Sequence, residues 1–140
     1  MKRPETGYGM RHVALFVRDL NACEEFYTRL LGFEVEHRPD PQNVYLTTGS
    51  DNLALHQAAT SHQRDEAAQR LDHIGIFLKS SDDVDLWYDF LVEMKVPMRT
   101  QPKTSEDGMR SFHCYDPDGT VIQLMYHPPI DQWEQLRGIN

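Results

Sequence analysis

Cysteine is scarce in this chain. Two in 140 residues, Cys23 and Cys114, exclude the even, regularly spaced set of a disulfide-stapled secreted domain and point to a reducing, cytoplasmic setting. Basic residues are also in the minority, 14 Lys and Arg against 22 Asp and Glu, for a formal charge of -8. With no basic stripe to neutralise phosphates, nucleic acid is excluded as the expected partner. No apolar run approaches the ~20 residues of a membrane helix. The opening Met1-Lys2-Arg3-Pro4-Glu5-Thr6 lacks the apolar stretch of a signal peptide. A soluble protein without a membrane partner is expected. The length suits one core that buries about two-thirds of the unfolded surface, hence a single domain.

What the chain has instead is repetition. Shifting the sequence by 61 residues lays His12-Val13-Ala14-Leu15-Phe16-Val17-Arg18 on His73-Ile74-Gly75-Ile76-Phe77-Leu78-Lys79, apolar on apolar and base on base. The same shift lays Phe26 on Trp87, Tyr27 on Tyr88, Leu30 on Leu91, Leu31 on Val92 and Val35 on Val96. One supersecondary unit is duplicated, and its two opening histidines, His12 and His73, become the first candidates for a common site.

Each copy reads as βαβββ. Val13 to Val17 is β-branched, aromatic and too short for a helix, so it is a buried strand. Asn21-Ala22-Cys23-Glu24 has capping-box spacing, Phe26, Tyr27, Leu30 and Leu31 form a helical stripe, and Gly32 supplies a left-handed stop. Three short strands follow at Phe33 to His37, Val44 to Thr48 and Leu53 to Gln57. The second copy starts its helix at Ser80-Ser81-Asp82-Asp83, with Val84, Trp87, Leu91 and Met94 as the buried face, and Pro97 closes it. Strands follow around Met98, Ser111 to Tyr115 and Thr120 to Tyr126. Gln101 to Gly108 reads as a longer polar loop of the kind that borders binding sites. The modules span 10–58 and 71–127, with a polar linker at 59–70 and a tail at 128–140 that has room for a helical turn around Trp133.

Alternation puts His12, Ala14 and Phe16 on one face, and His73, Gly75 and Phe77 on its counterpart. Small residues after each histidine leave room for a ligand. The plainer alternative is a strand-ending histidine bonded to backbone. Gln123 lies inside an apolar strand, where its amide must be paired or lose about 1–3 kcal/mol; a ligand contact and a loop hydrogen bond stand even. His113 and Tyr115 share a face of the preceding strand, as proton-transfer groups or as ordinary half-exposed residues. Counting from the turn glycines, four past Gly49 is Leu53 and four past Gly119 is Gln123. His56 then falls on the face opposite Leu53 unless a bulge turns it inward, and His37, His62 and His127 are expected to be solvated in turns or linker.

The repeated plan, the two histidine-led strands, Phe26-Tyr27-x-x-Leu30-Leu31-Gly32-Phe33, and Tyr115-Asp116-Pro117-Asp118-Gly119-Thr120-Val121-Ile122-Gln123-Leu124 together resemble the vicinal oxygen chelate superfamily. That group holds glyoxalase I, methylmalonyl-CoA epimerase, extradiol dioxygenases, and fosfomycin- and bleomycin-resistance proteins. The resemblance implies an α+β fold in which two tandem βαβββ modules form an incomplete curled barrel. It also implies a divalent metal with His12 and His73 as first-strand ligands and Gln123 at a last-strand position that usually holds Glu. The matching position of the first module is Leu53, which cannot bind metal. Three ligands resemble the dioxygenase branch, with Fe(II) favoured over Mn, Zn, Ni or Co. An amide in place of a carboxylate leaves the site near +2 instead of +1, with weaker metal binding and a more acidic bound water. His113 matches a position that tends to be Tyr, so His113 and Tyr115 are the implied proton-transfer residues.

The expected function is a metal-dependent small-molecule enzyme, dioxygenase-like or a lyase or isomerase, that takes its substrate through paired oxygens. The alternative is a metal-free pocket like that of bleomycin-resistance proteins. A homodimer is expected in either case.

Overall fold

The computed structural model describes residues 10–59, 65 and 71–130. Most of the expected linker, His62 and the turn around Trp133 lie outside them. The chain divides into two compact units, Met1–Gln63 and Arg64–Asn140.

The first unit runs β1 (His12–Val17), α1 (Leu20–Glu25), β2 (Glu34–Asp40), β3 (Asn43–Thr47) and β4 (Asn52–Gln57), with a π-helical segment, Phe26–Leu30, continuing α1. Its sheet has the order β1-β4-β3-β2. β1 and β4 pair in parallel, while β2–β3 and β3–β4 are antiparallel. Strand alternation decides what lies beneath the helix. Val17, Val44, Leu46, Leu53 and Leu55 are buried together with Leu20, Cys23, Phe26 and Tyr27 of the helical stripe. Two edge-to-face contacts, Phe26–Tyr27 at 5.2 Å and Tyr27–Phe33 at 5.6 Å, extend this core.

The second unit runs β5 (Ile74–Phe77), α2 (Ser81–Glu93), β6 (Lys103–Thr104), β7 (Arg110–Tyr115) and β8 (Val121–Tyr126). Its sheet order, β5-β8-β7-β6, repeats the first, again with a parallel pair of first and last strands. α2 packs on β8 and β7, burying Val84 and Leu91 over Phe112, Cys114, Ile122 and Leu124. Tyr88 meets Phe112 edge to face at 5.3 Å. The turn into β8 is held by the buried Asp116, whose Oδ1 accepts the backbone N–H of Asp118 at 2.9 Å and of Thr120 at 2.8 Å. Two four-stranded mixed sheets with few helices make an α+β fold, and neither sheet closes on itself.

Several local expectations shift. Helix α1 begins two residues earlier than the Asn21 box implies, because Asp19 accepts the Ala22 N–H at 3.0 Å and caps it. The Ser80 cap stands, accepting from Asp83. Met94 is 37% exposed at the C-cap of α2, so it leaves the buried face. Met98 makes only an isolated bridge to Cys114, and the polar loop after it contains β6, paired with β7.

The two helix exits also differ. Gly32 has φ +77° and Lys95 has φ +62°. Each precedes an apolar residue whose N–H returns to the helix, Phe33 to Tyr27 O and Val96 to Leu91 O. Val96 is therefore the counterpart of Phe33, and the repeat gains two residues in α2. A left-handed conformation is free for glycine and costs an L-residue about 1 kcal/mol or more. Lys95→Gly is expected to raise stability by about 1 kcal/mol in urea unfolding. An unchanged or lower midpoint would mean that Lys95 contributes something the backbone geometry does not show.

Candidate functional site

Each sheet has one face under its helix and one free of it, and every candidate histidine stands on a helix-free face. In the first unit that face carries His12, Ala14 and Phe16 of β1, which pair with Asn52, Ala54 and His56 of β4. Tyr45 and Asn43 of β3 stand opposite Ala54 and His56. Leu53 is on the other side and 5% exposed. In the second unit Gly75 of β5, Gln123 of β8 and His113 of β7 are mutual partners. Since Gly75 aligns with Ala14, the first-unit counterpart of Gln123 is Ala54, not Leu53. Gly49 lies five residues before its position and Gly119 four. That one residue inverts the face, so His56 joins His12 on the helix-free side.

His12 takes a defined tautomer. Its Nδ1 is 2.6 Å from Asn52 Oδ1, while Asn52 Nδ2 donates to Glu36 Oε2 at 2.7 Å. A carboxylate only accepts, so the Asn52 nitrogen faces Glu36 and its oxygen faces the imidazole. Nδ1 is the donor, and in the neutral ring Nε2 carries the lone pair. A surface hollow of about 610 Å³ adjoins this end of the sheet, lined by Arg11, His12, Glu36, Thr47, Asp51 and Asn52 among others.

In the second unit His73 precedes β5 and its Nδ1 donates to Asp72 Oδ2 at 2.6 Å, again leaving Nε2 free. That bond is the main cause holding the exposed Asp72 carboxyl below its ordinary range. Strand geometry puts the His73 and Gln123 Cα atoms about 8 Å apart, two residues along and one strand across. Gln123 is 7% exposed, and its Nε2 donates to Ser111 Oγ at 3.0 Å, which turns Oε1 to other partners. A nitrogen lone pair and an amide oxygen thus stand on one face of this unit, a donor set that fits a divalent cation. Among the described residues no three of His, Cys, Asp and Glu stand together as a metal group.

His113 lies edge to face with His73, ring centroids 5.6 Å apart. Thr100 Oγ1 accepts the His113 backbone N–H at 2.9 Å and sits 3.1 Å from its Nδ1. The Thr100–Nδ1 contact is a hydrogen bond in either tautomer of the ring. Tyr115 shares its face two residues on and is half-buried. Gly75 leaves less room than expected, since a Cβ there would meet Met125 Sδ at 3.4 Å. The Cys114 thiol is buried and pushed up to about 12, chiefly by desolvation, which removes it as a nucleophile. His37 lies in β2 against Tyr45 and is exposed, as expected, whereas His127 has its Nδ1 buried without a partner among the described residues.

The second unit therefore brings His73, Gln123, His113 and Tyr115 to one face, and His12 belongs to the first unit. The supporting residues Asn52, Glu36, Thr100 and Ser111 carried no signal in the sequence. Asp72, adjacent to His73, did.

Residues 9–124 match the model of the Glyoxalase/Bleomycin resistance protein/Dioxygenase superfamily. No curated protein matches the sequence. Among solved structures, a lactoylglutathione lyase from Agrobacterium tumefaciens is similar in fold with a TM-score of 0.72 and 22% identity, over 87% of this chain and 96% of that one. A glyoxalase/bleomycin resistance protein/dioxygenase from Alicyclobacillus acidocaldarius gives 0.67 and 22%, over 86% and 92%. An integron cassette protein from the mobile metagenome of Halifax Harbour sewage outfall gives 0.71 and 20%, over 85% and 98%. At these identities the likeness is one of fold.

Burial is the largest cause lowering the His113 pKa from 6.5; the neighbouring His73 and Arg99 lower it further, and Asp72 partly opposes them. A histidine whose folded pKa is depressed binds fewer protons folded than unfolded, so stability is lost as pH falls below about 6.5. In urea unfolding with EDTA, the parent is expected to lose more stability between about pH 7.5 and pH 5.5 than His113→Gln. Equal losses would show that His113 titrates normally.

Proposed function

Because the chain belongs to the Glyoxalase/Bleomycin resistance protein/Dioxygenase superfamily, we propose that it is a metal-dependent enzyme acting on a small molecule that presents two adjacent oxygens. Dioxygenase-like, lyase and isomerase chemistries all fit. The observation that carries the proposal is the pairing on one face of His73 Nε2 with Gln123 Oε1, neither of them hydrogen-bonded among the described residues, beside the His113 imidazole. His73 and Gln123 would hold the cation, Fe(II) first and Mn, Zn, Ni or Co as substitutes. His12 is proposed as the third ligand on its repeat position and its matching tautomer alone. A bound divalent cation supplies Lewis acidity, lowering the pKa of a hydroxyl it holds and stabilising the resulting anion.

The protein's own groups then have distinct tasks. His113, whose pKa is lowered by burial and by the neighbouring His73 and Arg99, is proposed to hold or pass a proton at Nε2, with Thr100 hydrogen-bonded at Nδ1. Tyr115, on the same face, is proposed to orient the substrate. Asp72 fixes the His73 ring through Nδ1.

The amide at 123 and the exposed Phe16 and Phe77, 67% and 52%, support a second reading, a metal-free binding protein for a small aromatic molecule. A cytoplasmic homodimer is proposed in either case. β2 is exposed along its length at a sheet edge, and α2 displays Leu86 at 67% and Phe90 at 39% exposure. Light scattering at micromolar concentration is expected to return twice the 16.3 kDa chain; a monomer would remove the dimer from the proposal.

Metal-induced thermal stabilisation separates the two readings. His73→Ala and His12→Ala are expected to abolish the shift produced by anaerobic Fe(II) or by Mn(II). Gln123→Glu, which adds a carboxylate, should tighten binding at least about tenfold, roughly 1.4 kcal/mol, while Gln123→Leu weakens it. No shift in the parent with any of the five cations would sink the metal reading. A shift that Gln123→Glu leaves equal or smaller would remove Gln123 from the ligands.

A further inference from the structure

The first sheet carries a histidine that the proposed metal chemistry does not use. His56 of β4 stands opposite Phe16 of β1 and Asn43 of β3 on the helix-free face. Its Nδ1 meets Asn43 Oδ1, and Asn43 Nδ2 donates to both oxygens of Asp40 at 2.9 Å. Asp40 also accepts the Gln42 N–H at 2.7 Å; the Asn43 bond is the main cause holding its carboxyl below the ordinary range, and the Gln42 bond adds to it. The hairpin turn alone accounts for Asp40 and Asn43. The imidazole is an addition to that turn, and the same logic that orients His12 orients it: Nδ1 donates, and Nε2 of the neutral ring is left as an acceptor without a partner among the described residues.

The ring sits in a row of others. Phe16 lies 5.7 Å from His56, Tyr45 stands 6.4 Å from it at 84°, and His37 follows at 5.9 Å from Tyr45. Phe16 is 67% exposed, so its face is available for stacking. Phe16 is four residues beyond His12, which separates the His12 and His56 rows by about 13 Å. His56 therefore meets a different atom of any ligand than His12 does.

We propose that the helix-free face of the first sheet binds a planar aromatic ring bearing a hydroxyl, with the ring stacked on Phe16 and the hydroxyl donating to His56 Nε2. The fixed tautomer requires a donor from the ligand. The carboxylates of Asp40 and Glu36 along the same sheet disfavour an anion, which selects the neutral phenol over its phenolate. This site does not depend on the metal reading. It rests on the second reading and deepens it by naming the ligand class and its contacts, and equal binding of phenol and ether would overturn it while leaving that reading standing.

The test uses the full chain with EDTA present, so that a failure of the metal proposal leaves it untouched. 4-Methylphenol, neutral at pH 7 because phenols titrate near 10, is titrated against its methyl ether, which has the same ring and no donor. Binding is followed by calorimetry and by the 15N resonances of the His56 ring. The phenol should bind about fivefold more tightly than the ether, or better, and move the Nε2 resonance. His56→Leu should erase the preference and keep the ether affinity. Phe16→Ala, at a position too exposed to disturb the core, should weaken both ligands. Asn43→Leu, which frees the tautomer and keeps the ring, should reduce the preference. Absence of saturable phenol binding, equal affinity for phenol and ether, or a preference that survives in folded His56→Leu would each overturn the proposal.

Discussion

Strand alternation beneath a helix is the constraint on which the rest depends. In each unit one sheet face is packed under a helix, and a slip of one residue would exchange the two faces entirely. In the first sheet such a slip would carry Val44, Leu46, Leu53 and Leu55, all at most 5% exposed, toward solvent. At about 1.5–3 kcal/mol for each buried aliphatic side chain, the loss rivals the whole stability of a domain this size. The apolar positions therefore fix the register, and the register fixes which polar side chains remain on the helix-free face. His12, His56, His113 and Gln123 are held in place by residues on the opposite side of their own strands.

Hydrogen bonds then decide what those side chains can do. Three imidazoles, His12, His56 and His73, turn Nδ1 toward an oxygen and present Nε2 as an acceptor. His113 has the Thr100 hydroxyl at Nδ1, a contact that suits either tautomer. Two of the three Nδ1 acceptors are asparagine oxygens, each made unambiguous by a carboxylate behind its nitrogen. Asparagine transmits the orientation without bringing a full charge against the ring, whereas Asp72 brings one directly to His73. A carboxylate behind an imidazole favours a cation in front of it more strongly than an amide does, and an amide still leaves Nε2 a lone pair for a cation or for a hydrogen-bond donor.

The duplication, the two helices, most of the strands and the histidines that open each copy were legible because each rests on local periodicity. What was not legible depends on pairing across strands or on the length of a turn. Counting from turn glycines reached Leu53 in place of Ala54 because the first turn is one residue longer, and that single residue hid the orientation of His56. The cap at Asp19 lay two residues ahead of a plausible box, which competed on spacing alone. The extra length of α2 shows only in the backbone, where Lys95 adopts the conformation of Gly32. Asn52, Asn43, Thr100 and Ser111 become partners of functional groups only when distant segments meet, so no window of sequence could single them out.

The same skeleton also carries two different distributions of its histidines. Register makes Tyr45 the counterpart of His113, since one stands opposite Ala54 and the other opposite Gln123, and makes His56 the counterpart of Met125. In the second unit the two imidazoles meet at 5.6 Å with the Gln123 amide on the same face. In the first unit the second histidine is displaced along β4, about 13 Å from the row of His12. Donors brought close together can converge on a single atom or ion. Donors spread along a strand meet separate groups, which leaves His12 and His56 open to different partners. The two units thus differ in which strand position each gives its second histidine.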